Sequence, residues 1–330
     1  MRTIKKVLII RFSSIGDIVL TTPVVRCVKQ QLPDVEVHYL TKQQYLPLVS
    51  SNPFIDKIFT IHKKTSEVIA QLKAENYDFI IDLHKNLRSS QVLMHLGIAS
   101  DSFNKLNKEK WLLTNMGINL LPKVHIVDRY FHAVKKLHVK NDQQGLDFFI
   151  PESDSIILKD FFPETFQQGY VALVIGSKQQ TKQIPVEKML AIIAKLNKAV
   201  VLLGGNEDFL KAKQVADAAG SNVFNACGML SLNQSASIMQ QAACIITPDT
   251  GLMHIAAALK KKVISVWGNT IPGFGMYPYY PKDAQNFTIV EVNHLKCRPC
   301  SKLGYDACPK KHFRCMMNID VDKIIEAAGA

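Results

Sequence analysis

The chain is 330 residues long, 47% hydrophobic and 21% charged. That composition supports well-packed cores, favours two domains over one and excludes a disordered polymer. The net charge of +12 and the pI near 9.3 imply acidic partners, a class spanning nucleic acids, anionic lipid headgroups and phosphorylated small molecules.

In chain order, the basic start Met1-Arg2-Thr3-Ile4-Lys5-Lys6 leads into Val7-Leu8-Ile9-Ile10, which has a secretory look. Arg11 and Asp17 interrupt the run, however, and no small-residue cleavage site follows. It reads as the first core strand, 7–12, of a cytoplasmic protein. No apolar run reaches the roughly 18 residues of a membrane span, so any membrane contact is peripheral, through basic surface. A helix over about 17–31 and a strand over 35–40 complete a βαβ unit, and apolar runs at 57–61, 79–82 and 102–103 continue a parallel sheet. Leu146-Asp147-Phe148-Phe149-Ile150-Pro151 reads as its last strand.

Two turns in this half carry candidate chemistry. Ser13-Ser14-Ile15-Gly16-Asp17-Ile18 lacks the spacing of a dinucleotide site, but Asp17 sits where a helix N-terminus favours an ionised carboxylate. Such a group accepts a proton from an attacking hydroxyl, and capping explains it equally well. Ser14 and Gly16 flank it. At the end of the 79–82 strand, His84, Lys85 and Arg88 are placed to grip an anionic acceptor, with an ordinary solvated loop as the alternative.

The boundary falls at 155, a polar linker spans 156–168, and the pattern restarts at 169. Strands are expected at 170–175, 199–203, 223–224, 244–246 and 263–266, each preceded or followed by a helical segment. Two successive sheets of this kind place a ligand cleft where strand carboxyl ends meet. The strand-end loops of this half look like nucleotide-diphosphate chemistry. Ser177 and Lys178 follow the first strand, and Lys182 precedes Pro185, which suits a helix start. Glu207 or Asp208 is placed to accept from ribose hydroxyls, and Met229 to rest against a flat base, although core packing is the commoner fate of Met. In Pro248-Asp249-Thr250-Gly251-Leu252-Met253-His254-Ile255 a strand turns tightly into a helix. Its backbone N–H groups and dipole suit a phosphate, Gly251 permits close approach, and Asp249 and His254 bracket the turn. A plain helix cap is the competing reading.

Cys27, Cys227 and Cys244 are scattered in apolar contexts, whereas Cys297, Cys300, Cys308 and Cys315 form C-x2-C-x7-C-x6-C with His312 inside. The close pair suits structural zinc, the wider second pair departs from a zinc ribbon, and free thiols or disulfides are the alternatives. A nucleic-acid module is disfavoured, because the Lys and Arg residues are dispersed and no stacking aromatics interleave with the cysteines.

Taken in order, these residues resemble the glycosyltransferase family 9 enzymes, bacterial lipopolysaccharide heptosyltransferases that use ADP-heptose. The resemblance runs essentially end to end. It rests on Arg11 to Pro23, on Asn52-Pro53-Phe54-Ile55-Asp56, on Lys182 with Pro185, on Gly228-Met229 and most specifically on Asp249-Thr250-Gly251 with His254. It implies a GT-B fold, two Rossmann-like domains with parallel sheets facing a central cleft, and an inverting reaction that needs no metal for catalysis. It matches Asp17 to the general base, Lys182 to the diphosphate lysine and Thr250-Gly251 to the phosphate loop. Its expected partners are ADP-heptose, an anionic glycolipid acceptor of the lipid A core and, peripherally, the inner membrane face. Ile184 stands where members often carry an aromatic, and the loop 104–111 matches nothing assignable. A transferase for another nucleotide sugar, or a non-catalytic sugar-nucleotide or glycolipid binder, fits the same frame.

Overall fold

The computed structural model describes residues 4–329, so the first three residues of the basic N-terminal run lie outside it. Contacts divide the chain into two units, one of residues 1–105 with 124–149, the other of 106–123 with 150–330. The segment 106–123 thus groups with the second unit although it follows five strands of the first.

The first unit is built on a five-stranded parallel sheet, β1 (Lys6–Ile10), β2 (Glu36–Lys42), β3 (Lys57–Ile61), β4 (Phe79–Asp82) and β5 (Ser100–Ser102), in the order β3-β2-β1-β4-β5. Helices on both faces make its strands apolar on both sides, and Leu8, Ile10, Leu40, Phe59, Ile61 and Ile80 anchor one core layer. The single helix expected over 17–31 is two, Ile15–Val19 and Thr22–Gln31. Pro23 in the first turn of the second has no N–H to continue the first. No strand forms over 146–151. Its alternation yields to a buried cation: Arg26 donates to Asp142 at 2.8 and 2.9 Å and to the Gly145 carbonyl at 3.0 Å, and pairs with Asp147. Those contacts pin the segment as a loop.

The second unit has a six-stranded parallel sheet, β6 (Tyr170–Val174), β7 (Ala199–Leu203), β8 (Val223–Asn225), β9 (Cys244–Pro248), β10 (Val263–Trp267) and β11 (Phe287–Glu291), in the order β11-β10-β9-β6-β7-β8. β11 is the strand that periodicity misses, since its solvent-lapped edge position leaves only Val290 fully buried. The 156–168 segment is more than a connector. It holds two short helices, and Phe162 and Phe166 are buried against Phe224. Every strand pair is parallel, so the loops at 176–185, 204–208, 249–251 and 268–270 all leave carboxyl ends of neighbouring strands. Among the described residues no helix is long and apolar enough to cross a membrane.

Candidate functional site

At the end of β1, Asp17 occupies the third position of the helix Ile15–Val19, whose N-cap is Ser14. Asp17 Oδ2 accepts from the Ser14 hydroxyl at 2.7 Å and its backbone N–H at 3.2 Å, while Oδ1 lies 2.6 Å from Arg11 Nη2. Gly16 is buried beneath the turn. Arg11 itself is buried, with its Nε donating to the Ser13 carbonyl at 2.7 Å and another nitrogen to the Leu83 carbonyl. One guanidinium therefore joins the β1 and β4 ends and fixes a carboxylate that retains partial exposure. A carboxylate held by a cation and a hydroxyl donor is fixed in direction. Arg11 was legible as the charge that breaks an apolar strand, yet sequence reasoning gave it no role.

The structure separates the three residues expected to form a cationic grip at the end of β4. Burial first, then the positive charges of Arg11, Lys105 and Arg88, push the His84 imidazole down to about 3, so it is neutral at physiological pH. Its ring meets Phe12 edge-on at 5.2 Å, and its buried Nδ1 has no partner among the described residues. Lys85 donates to the Phe103 carbonyl at 2.9 Å. Lys85 nevertheless remains exposed, as does Arg88 in the first turn of the helix Leu87–Leu96.

In the second unit, Lys182 ends the 3-10 turn Gln180–Lys182, and its Nζ donates to Asp249 Oδ2 at 2.6 Å. The Thr270 hydroxyl donates to the same oxygen at 2.8 Å. Asp249 thus gathers the ends of β6, β9 and β10. Thr250 is the N-cap of the helix Gly251–Ala258, but its hydroxyl makes no cap bond. The capping reading therefore leaves that hydroxyl and the first helical N–H groups unexplained, and they are the groups an anion would take. Ser177 offers its carbonyl to Gln183 at 2.7 Å, and Lys178 is exposed on the same loop. His254, in the first turns of the helix Gly251–Ala258, is 2% exposed.

The two acidic candidates after β7 separate cleanly. Asp208 is 4% exposed and accepts from the Gly205 N–H at 3.0 Å, and burial raises its pKa. A Cβ at Gly176 or Gly204 would meet its carboxylate oxygen at 2.1 or 2.8 Å. Asp208 fills the space those glycines leave and braces two loops, so a ribose-binding role is withdrawn from it. Glu207 is exposed, as is Met229, at 55%, beyond Gly228.

The cysteine segment buttresses these loops. Arg298 donates to the carbonyls of Gly268 at 2.6 Å and Thr270 at 2.8 Å and pairs with Glu291 at 2.6 Å. Thr181 and Tyr305 exchange bonds of 3.0 and 2.8 Å. Cys297, Cys300, Cys308, Cys315 and His312 line one cavity of about 20 Å³, together with Asn269, a buried amide with no partner among the described residues. Room for about one small ion, four thiols and an orphaned amide suit a soft metal chemically. As placed, no three such ligands among the described residues converge on one point, and Cys297 Sγ is 3.9 Å from His312 Nε2. Burial, with the neighbouring sulfurs, pushes the Cys315 thiol up to about 11.

The family model described as Glycosyltransferase family 9 (heptosyltransferase) matches residues 66–306. Lipopolysaccharide heptosyltransferase 1 of Campylobacter coli is 25% identical over 293 residues, 80% of this chain and 84% of that protein. Among solved structures, the glycosyl transferase family 9 protein of Veillonella parvula DSM 2008 aligns with a TM-score of 0.76 at 20% identity, over 100% of this chain and 97% of that one. E. coli heptosyltransferase WaaC with ADP aligns with a TM-score of 0.68 at 21% identity, over 98% and 99%. The two parallel-sheet units have the GT-B fold of these structures.

Proposed function

Because the chain belongs to glycosyltransferase family 9 and is a glycosyltransferase, we propose that it transfers heptose from ADP-heptose to an inner-core sugar of lipopolysaccharide, with inversion. The single observation that carries the reading is the Lys182–Asp249–Thr270 cluster beside an unspent helix N-terminus. This is the chemistry a leaving diphosphate needs. The heptosyltransferases among its relatives, with E. coli WaaC solved both with ADP and with ADP-2-deoxy-2-fluoro heptose, support the donor.

In the proposed step, Asp17 takes the proton of the acceptor hydroxyl as its oxygen attacks the anomeric carbon, and the bond to the ADP oxygen breaks on the opposite face. The electron pair leaves on the diphosphate. Lys182, with Lys178 and the N–H groups at Thr250 and Gly251, stabilises that charge, while Asp249 positions Lys182. Glu207 and Met229 are assigned to the nucleoside, and Ser177 to the loop beneath it. On the first unit, Ser14, Gly16, Lys85 and Arg88 are assigned to the acceptor, and His84 to packing. No catalytic metal or cofactor is invoked. Zinc on Cys297, Cys300, Cys308 and Cys315 would brace the tail; one equivalent by elemental analysis is expected, and iron or no metal rejects it. The basic surface is assigned to peripheral contact with the anionic cytoplasmic face of the inner membrane.

The test is ADP release against a panel of nucleotide sugars and truncated lipopolysaccharide cores. Release that requires ADP-heptose and a lipid A–Kdo or heptose acceptor is expected. ADP-heptose binding without turnover would make the chain a binder, and faster release from another nucleotide sugar would replace the donor.

A further inference from the structure

A second groove, of about 530 Å³, lies wholly within the second unit, between the helix Asn107–Met116 and the cysteine segment. Trp111 and Tyr305 line it, 55% and 42% exposed, with Lys108, Lys302, Asn107 and Asn115. No carboxylate lines it. Among the described residues, neither lysine forms an ion pair with an acidic side chain.

The lining is held in place. No side chain of the helix Asn107–Met116 is buried, yet Asn115 donates to the Trp111 carbonyl at 2.9 Å, and the Tyr305 hydroxyl to the Cys300 carbonyl at 3.1 Å. The opposite wall is fastened to the candidate diphosphate loop. Besides the Thr181–Tyr305 bonds, a Cβ at Gly304 would meet Gln179 Cβ at 2.6 Å. A helix that buries none of its own side chains while exposing a tryptophan, opposite a fixed tyrosine and with one lysine on each wall that forms no ion pair among the described residues, is organised for a ligand rather than for its own stability.

We propose that this groove binds a phosphate-bearing saccharide. Flat aromatic faces pack the C–H faces of sugar rings, and Asn107 and Asn115 offer amide donors and acceptors to hydroxyls. Two lysines that form no ion pair among the described residues supply point charges for phosphate. The assignment stands on the groove's own chemistry and deepens the transferase reading by putting a recognition site for an anionic glycan on the second unit. Because the assay measures binding without turnover, either can fail alone.

Only two tryptophans are present, and Trp267 is buried, so fluorescence and its quenching by iodide report on Trp111. The full-length protein is titrated with fully deacylated phosphorylated core oligosaccharide, the same oligosaccharide after phosphatase treatment, inorganic phosphate and anionic phospholipid vesicles without saccharide. The phosphorylated oligosaccharide should shield Trp111 and bind at least about tenfold tighter than the other probes. By calorimetry, Trp111→Ala should weaken both oligosaccharides about tenfold, and Lys108→Ala with Lys302→Ala should abolish the preference for phosphate. All three side chains are exposed, and unchanged circular dichroism checks the fold. Inorganic phosphate binding as tightly as the glycan would reduce the groove to an anion site. Vesicle binding lost in Trp111→Ala, with no glycan binding, would make it a membrane contact; an unchanged glycan affinity in Trp111→Ala would refute the site outright.

Discussion

Replacing His84 by Phe should flatten the acid limb of the protein's stability. The imidazole titrates near 3 in the folded chain, against an ordinary value of 6.5, because burial and the surrounding cations of Arg11, Lys105 and Arg88 oppose its charge. The unfolded chain therefore binds a proton that the folded chain refuses between pH 6.5 and about 3. Stability falls as the pH drops through that window, by about 1.4 kcal/mol per unit, so by pH 5 His84 has cost roughly 2 kcal/mol. For a domain of this size that is a melting-temperature loss of roughly 4–8 °C. A phenylalanine keeps the edge-on contact with Phe12 and strands no new polar atom, since Nδ1 is already without a partner among the described residues. Denaturant unfolding at pH 7 and pH 5 should show the variant losing about 2 kcal/mol less than the parent over that interval. His38, also pushed down by burial, is common to both and cancels. Equal losses in parent and variant, with His84→Gln behaving the same, would refute a neutral buried imidazole and restore His84 as a candidate cation for the acceptor.

Other outcomes test the two strand-end clusters. Asp17→Asn should lower kcat about 10²–10⁴-fold while ADP-heptose affinity measured by calorimetry is kept; near-normal turnover removes Asp17 as the base. Lys182→Ala should weaken ADP binding at least about tenfold, one lost charge-assisted contact, and unchanged affinity would take Lys182 out of the cradle. Arg298→Met breaks its bonds to the Gly268 and Thr270 carbonyls and its pair with Glu291. It should cost the second unit about 2–4 kcal/mol and loosen ADP binding, whereas full stability in urea would show that the cysteine segment does not support the loops.

Much of the fold was legible because parallel strands buried on both faces are written as short apolar runs: β3, β4 and β7 fall where those runs stand. The failures have physical causes. Leu146 to Pro151 has strand-like alternation, but Asp147 is drawn to Arg26, 121 positions away, and no local pattern encodes that pair. β11 lies on an edge, where four of its five residues are only partly buried and the apolar signal thins. At the candidate site, residue type and strand-end position singled out Asp17, Lys182 and Asp249, whereas the different burial of Glu207 and Asp208 and the neutrality of His84 depend on packed neighbours. Thr270 and Arg298 were missed although Gly268-Asn269-Thr270 follows a strand like the other loops; nothing local marks a hydroxyl that will meet a carboxylate from another turn.

Asp249 shows how that packing sharpens a motif. In isolation an Asp-Thr-Gly turn reads as a cap or as a ligand contact. Here one oxygen of Asp249 already accepts from Lys182 and Thr270, and the side chain is mostly buried. A carboxylate pointed at a diphosphate would repel it, so its useful work is on the lysine. An ammonium has three N–H donors, and a bond to Asp249 leaves two while fixing the direction in which they point. The same bond lowers the entropy a long lysine side chain would lose on meeting its ligand. Asp249 thus fixes the direction of the Lys182 ammonium, which on the proposed reading holds its remaining N–H donors preorganised for a phosphate. The Thr270–Arg298 contacts extend that preorganisation to the cysteine segment behind it.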